Sequence, residues 1–96
     1  MKVGFHPAAA AEFRAAAAYY EERLQGLGEE FIVEVEHMRS LLTELQGLGP
    51  KIDSLHRRVS LRRFPYSVIY RVDGAELSIV AVANKRRRPG YWKGRK

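Results

Sequence analysis

The dipeptide Asp73-Gly74 lies between two β-prone runs, residues 66–72 and 76–83, and no other feature of the chain restricts its fold so severely. A tight hairpin turn needs positive φ at its centre, which glycine supplies without steric cost, and rows of Val, Ile and Tyr suit the pleated surface on either side. A third alternating run, residues 59–64, comes just before, so the spacing predicts a three-stranded antiparallel meander. In that run Val59 and Leu61 alternate with Arg58, Ser60 and Arg62, which gives one apolar and one cationic face. In the two later runs Val68, Tyr70, Leu77 and Ile79 compete with Ile69, Val80 and Val82 for the inward side. Both faces of those strands therefore read as partly covered.

The chain ahead of the meander has helical periodicity. Residues 2–6 form a short β-prone segment, and Pro7 then suits a first helical turn, where the amide it lacks would have no partner. Residues 8–24 are alanine-rich, with Ala9, Phe13, Ala16, Tyr20 and Leu24 on one stripe and Glu12 and Arg14 assigned to the wet outer face. Gly26-Leu27-Gly28 ends this helix, and a second is expected over residues 29–45 with Phe31, Val35, Met38, Leu42 and Leu45 inward. Glu29 and Glu30 complement its dipole, and Gly47-Leu48-Gly49-Pro50 stops it. So short a link implies an antiparallel helical hairpin that buries its stripe on the sheet. The expected architecture is α+β, in the order β-α-α-β-β-β, as a single domain over residues 1–96 with a basic segment at 85–96.

Charge is divided along the chain. Residues 1–52 carry five basic and eight acidic side chains, whereas residues 53–96 carry twelve basic and three acidic. Such polarisation points to an anionic partner, either nucleic acid or an acidic protein. With no cysteine there is no disulfide framework or thiolate site, and a reducing compartment is expected. No apolar run approaches the ~20 residues of a membrane span, and the N-terminal residues lack the pattern of a signal peptide. A cytoplasmic protein without a membrane partner is expected. His6, His37 and His56 have no metal-ligand spacing, His6 being placed to cap the first helix and His37 on the outside of the second. Gly26-Leu27-Gly28 lacks the lysine and hydroxyl of a phosphate loop. Neither a metal nor a cofactor is expected.

Four runs taken together, Tyr19-Tyr20-Glu21-Glu22, Gly26-Leu27-Gly28-Glu29-Glu30-Phe31, Arg63-Phe64-Pro65-Tyr66-Ser67-Val68-Ile69-Tyr70 and Arg86-Arg87-Arg88-Pro89-Gly90-Tyr91-Trp92, resemble the RelE/ParE superfamily of toxins from bacterial type II toxin-antitoxin systems, some of which serve plasmid stabilization. The resemblance spans essentially the whole chain. It implies two helices on a small antiparallel sheet and a cognate antitoxin as partner. It leaves two activities open: RelE-type members cleave mRNA in the ribosomal A site with Lys, Arg and Tyr side chains, whereas ParE-type members inhibit DNA gyrase.

The site residues decide between these activities. RNA cleavage by the 2′-hydroxyl needs a proton acceptor, cations on the phosphorane and a donor for the leaving oxygen. Arg87 and Tyr91 are the catalytic candidates, Tyr91 lying where RelE-type enzymes often carry a C-terminal tyrosine. Ser67 and Asn84 are departures. RelE-type nucleases often carry arginine at the first of these positions, and relatives often carry histidine at the second. Arg71 lies about 13 Å from Ser67 by strand rise, so no neighbour is expected to restore that charge. A binding role is therefore expected, on the ParE side, through Arg58, Arg62, Lys85, Arg86, Arg87, Arg88, Tyr91 and Trp92. The ribosome-dependent endonuclease is the alternative, and a non-catalytic nucleic-acid-binding module the third reading. A purely structural role is the other reading of these residues: an aromatic pair packed back on the sheet for the tail, and a charged edge that blocks aggregation for Arg58 and Arg62.

Overall fold

A computed structural model describes residues 1–96. Pro7 opens the first helix, α1 (Pro7–Arg23), and His6 Nδ1 accepts a hydrogen bond of 3.0 Å from the Ala8 amide, so the expected cap is formed. After α1 the chain turns at Gly26, whose φ of 90° lies in the left-handed region, and enters α2 (Leu27–Leu42). The first amides of α2 are served by α1: the Glu21 carboxylate accepts from Gly26 at 2.9 Å and from Gly28 at 3.0 Å. Gly28 is required here, because a Cβ would stand 2.4 Å from the Ala17 carbonyl oxygen. The two helices form the expected hairpin.

Four strands follow the expected order: β1 (Lys2–Phe5), β2 (His56–Ser60), β3 (Tyr66–Asp73) and β4 (Glu76–Asn84). Strands β2, β3 and β4 make the antiparallel meander, and the sheet order is β1-β4-β3-β2. The β3–β4 turn is centred on Gly74 and Ala75, with positive φ on Gly74 alone, as in a type II′ connection. Three expectations need correction. The sheet is mixed, because β1 runs parallel to β4, and a four-residue strand shows no periodicity from which its partner could be read. Strand β2 begins three residues early and stops at Ser60, since Leu61 bonds back to Tyr66 and Tyr66 to Phe64 around Pro65. Leu24 and Leu45 are exposed because α1 and α2 end before them.

The main core lies between the helices and one face of the sheet. Phe31 is fully buried at its centre, with ring centroids of Phe64 at 5.0 Å, Tyr66 at 5.1 Å and Tyr20 at 5.4 Å. Tyr70, also fully buried, donates its hydroxyl to the Gln46 carbonyl at 2.7 Å and ties the meander to the chain beyond α2. A bulge between Ile69 and Tyr70 leaves Val80 without a pairing partner. Tyr70, Val68, Leu77, Ile79 and Val82 thus face the helices, while Ile69, Val80, Ala81 and Ala83 form a second apolar cluster. Both faces of β3 and β4 are covered, which resolves the ambiguity of the sequence.

Phe64 is 6% exposed, and its truncation to alanine is expected to cost about 3 to 5 kcal/mol. Urea unfolding of Phe64→Ala measures this directly. A loss below about 1 kcal/mol would place the ring on a binding surface instead.

Candidate functional site

The second apolar cluster lies beneath the C-terminal segment. Trp92 is inserted there, 3% exposed, with its ring 4.6 Å from that of His56, whose Nδ1 lies 3.0 Å from Asp53 Oδ1. Trp92, expected on the binding surface, is therefore a buried anchor of the segment, and only its edge contributes to the lining of the hollow beside it. The packed-back aromatic pair is what the structure shows.

What pins this segment is Glu12, which the sequence reading placed in water. Strand β1 accompanies β4 only as far as Ile79, whose carbonyl accepts from the His6 amide at 2.8 Å. Beyond that point the edge of β4 has no strand beside it, and side chains take over. Glu12 Oε1 accepts from the Val82 amide at 3.0 Å, and Arg95 Nη1 donates to the Val80 carbonyl at 3.0 Å. The two side chains close on each other in a bidentate pair, Nη1 to Oε1 at 2.9 Å and Nη2 to Oε2 at 2.8 Å, and the Tyr91 hydroxyl donates to Oε2 at 2.6 Å. Burial works to raise the Glu12 pKa, but the hydrogen bonds from Arg95, Tyr91 and the Val82 amide, with the Arg95 charge, outweigh it and hold the carboxyl below its usual range. Burial first, and then the bond to Glu12 and its charge, push the Tyr91 phenol well above its ordinary 10.0.

That arrangement bears on Tyr91 as the candidate base. Its proton is held at neutral pH and directed into a carboxylate whose lone pairs are already engaged. Glu12 carried a signal of its own, since the steps from residue 9 to 12 to 16 follow the helical stripe as well as those through Phe13 do. Arg95, 83 residues away, gave none.

The cations gather beyond the end of β4. Asn84 builds the turn there, its Oδ1 accepting from the Arg86 amide at 2.8 Å and its carbonyl from the Arg87 amide at 3.0 Å. Lys85, Arg86, Arg87 and Arg88 stand exposed on this turn, and Gly90, with φ of 76°, redirects the chain towards Tyr91. Between the turn and the back of β2 and β3 lies a hollow of about 380 Å³. Arg58, Lys85, Arg87 and Arg88 line it, together with Ser60, Ser67 and Tyr91, and no carboxylate does. The Arg87 guanidinium carbon is 3.9 Å from the centre of the Tyr91 ring. Arg86 lies on the same turn outside the hollow.

Arg58 and Arg62 part company. Strand β2 ends between them, so Arg58 lines the hollow while the Arg62 amide donates to Glu34 on α2. Pairing of Ser60 with Ser67 and of Arg58 with Ile69 brings Arg58 into the same hollow as Ser67. Arg71 is occupied with Asp73 at 2.9 Å. Arg95 is likewise paired, and so leaves the group of free cations that follows Asn84. No group of three His, Cys, Asp or Glu residues is placed to hold a metal ion, and no helix is long and apolar enough to cross a membrane.

A family model described as the ParE toxin of the type II toxin-antitoxin system, parDE, matches residues 3–89. Among solved structures the chain is similar to a "Chromosomal ParDE TA system from P. aeruginosa", with a TM-score of 0.63 and 23% identity over 88% of this chain and 95% of that one. At that identity the likeness concerns the fold. No curated protein matches the chain. The family match stops before Tyr91, Trp92 and Arg95.

A carboxyl held below its usual pKa contributes stability above its ordinary value, 4.5 for Glu12, and loses it as pH falls through the folded value. The protein is expected to lose melting temperature on acidification below that point, and Glu12→Gln to remove a share of the loss. Asp53, lowered chiefly by the Leu55 amide, contributes to the same slope, so Asp53→Asn serves as the comparison. At neutral pH Arg95→Met is expected to cost on the order of 2 kcal/mol, below the about 3 to 5 of a fully buried pair, because the Arg95 and Glu12 side chains keep 18% and 16% exposure. Thermal melts across pH measure both effects.

Proposed function

Because the chain belongs to the ParE toxin family of type II toxin-antitoxin systems, we propose that it acts by binding an essential nucleic-acid-handling target, DNA gyrase, and that a cognate acidic antitoxin silences it by covering the basic hollow. The observation that carries this reading is the state of Tyr91. Its hydroxyl is committed to Glu12 and keeps its proton, and the other titratable side chains of the hollow are Arg58, Lys85, Arg87 and Arg88, all cations. A site so composed is suited to hold an anion, and it offers no ready acceptor for the 2′-hydroxyl proton.

The antitoxin follows from the same charges. Lys85, Arg86, Arg87 and Arg88 have no ion-pair partner, and burying them under a neutral surface would leave uncompensated charge. An acidic segment that orders on binding removes that cost. One observation favours the second reading, a ribosome-dependent mRNA endonuclease: Arg58 brings a phosphate-binding charge beside Ser67. In that case Tyr91 would have to leave Glu12 before acting.

Expression without antitoxin, with gyrase supercoiling and mRNA ends at ribosomal A sites measured together, separates the two. Supercoiling is expected to fail while mRNA stays intact, and Arg87→Ala to weaken the inhibition. A-site cleavage that Tyr91→Phe abolishes in a folded protein would establish the nuclease instead. Association with the antitoxin is expected to slow as salt rises, because exposed cations steer the encounter; stopped-flow rates at low and high ionic strength check this.

A further inference from the structure

The hollow carries more than charge. Ser60 and Ser67, at paired positions of β2 and β3, place their hydroxyl oxygens 3.5 Å apart on its floor. That separation is at the outer limit of a hydrogen bond, and one proton at most lies between them, so the pair keeps a donor for a third oxygen. The walls supply cations that no carboxylate neutralises. Four arginines elsewhere do have carboxylate partners, Arg39 with Glu36, Arg63 with Glu30, Arg71 with Asp73 and Arg95 with Glu12.

The aromatic residues are closed to a ligand base. The guanidinium groups of Arg87 and Arg95 lie over the Tyr91 ring, at 3.9 and 5.1 Å from its centre, and Trp92 is buried against His56. Single-stranded nucleic acids are recognised largely by stacking of bases on aromatic faces, and none is offered here. What the hollow offers is donors, arriving from floor and walls at once. The oxygens of a tetrahedral phosphate can accept from both directions together, whereas a planar carboxylate takes its bonds close to one plane.

From these features we infer that the hollow is a phosphodiester seat, which takes backbone phosphates of double-stranded DNA without regard to base sequence. Arg58 meets the phosphate from β2, Arg87 and Arg88 meet it from the turn, and the serine pair fixes its height above the sheet. Exposed Arg86 and Lys93 extend the positive field to neighbouring phosphates. The inference rests on the binding role proposed above and names the chemistry of the ligand.

Fluorescence anisotropy tests it, with the purified full-length toxin titrated into short labelled duplexes of two unrelated sequences at several salt concentrations. Both duplexes are expected to bind within about twofold of each other, since contacts to phosphate carry no sequence information. Arg58→Gln is expected to flatten the plot of log affinity against log salt by about one unit. Ser67→Ala should weaken both duplexes several-fold and equally. Arg39→Gln, in the helical layer, should change neither. Melting curves of each variant establish that it is folded. Tighter binding of single-stranded RNA would overturn the inference, as would tighter binding of poly-glutamate at matched salt or an unchanged salt slope in folded Arg58→Gln. The titration contains neither gyrase nor antitoxin, so a toxin that fails to bind DNA and a toxin that fails to block supercoiling are separate results.

Discussion

Strands β3 and β4 are apolar on both faces, and the rest of the molecule follows from covering them twice. The helical hairpin takes one face, with Phe31, Val35 and Leu42 fully buried against Val68, Ile79 and Val82. The other face shows Ile69, Val80, Ala81 and Ala83, and neither helix packs on it. The C-terminal segment covers it instead, with one tryptophan and one tyrosine. A short segment cannot hold itself down by area alone. The Glu12–Arg95 pair supplies the remaining attachment, and it also meets the peptide groups that β4 would otherwise expose beyond the end of β1.

The basic hollow is a by-product of that cover. Because Tyr91 and Trp92 turn inward, the residues before them must turn outward, and Asn84 and Gly90 are the two points at which the chain changes direction. The result sorts the arginines by neighbour. Arg63 finds Glu30 on α2 and Arg95 finds Glu12 on α1, whereas Arg86, Arg87 and Arg88 on the β4 turn have no carboxylate partner, and Arg87 lies over the Tyr91 ring instead. Like charges gathered without counter-charge work against the folded state.

Much of this was legible in the sequence. The meander, the helical hairpin and the histidine cap follow from local signals: Gly74 at a turn, a stripe of Phe31, Val35, Met38 and Leu42, and Pro7 behind His6. The parallel partner of β1 was not, because pairing between distant strands leaves no mark on either, and the double burial of β3 and β4 was legible only as an unresolved competition between their two faces. The cationic candidates were found by composition, but their division was not. Whether Arg58 keeps company with Arg62 or with Ser67 depends on where β2 ends, and that is set by backbone bonds around Pro65. Glu12 was misplaced and the burial of Trp92 missed for one shared reason. Each makes its contacts with residues far along the chain, and periodicity records only the face a residue occupies, not what will later come to lie on it.

The span of the Glu12–Arg95 contact has a kinetic consequence. Its 83-residue separation makes it among the most expensive contacts to close while the chain is still open, whereas the helical hairpin and the β3–β4 turn close over short loops. The order expected from loop closure passes through a species whose helices and meander are paired while the tail is still loose. In that species one face of β4 and part of its edge lie bare, the kind of surface through which chains associate wrongly. Since the latch forms last, weakening it speeds unfolding more than it slows folding. The lifetime of the native hollow then depends on one ion pair at the sheet edge, which touches the hollow only through Tyr91.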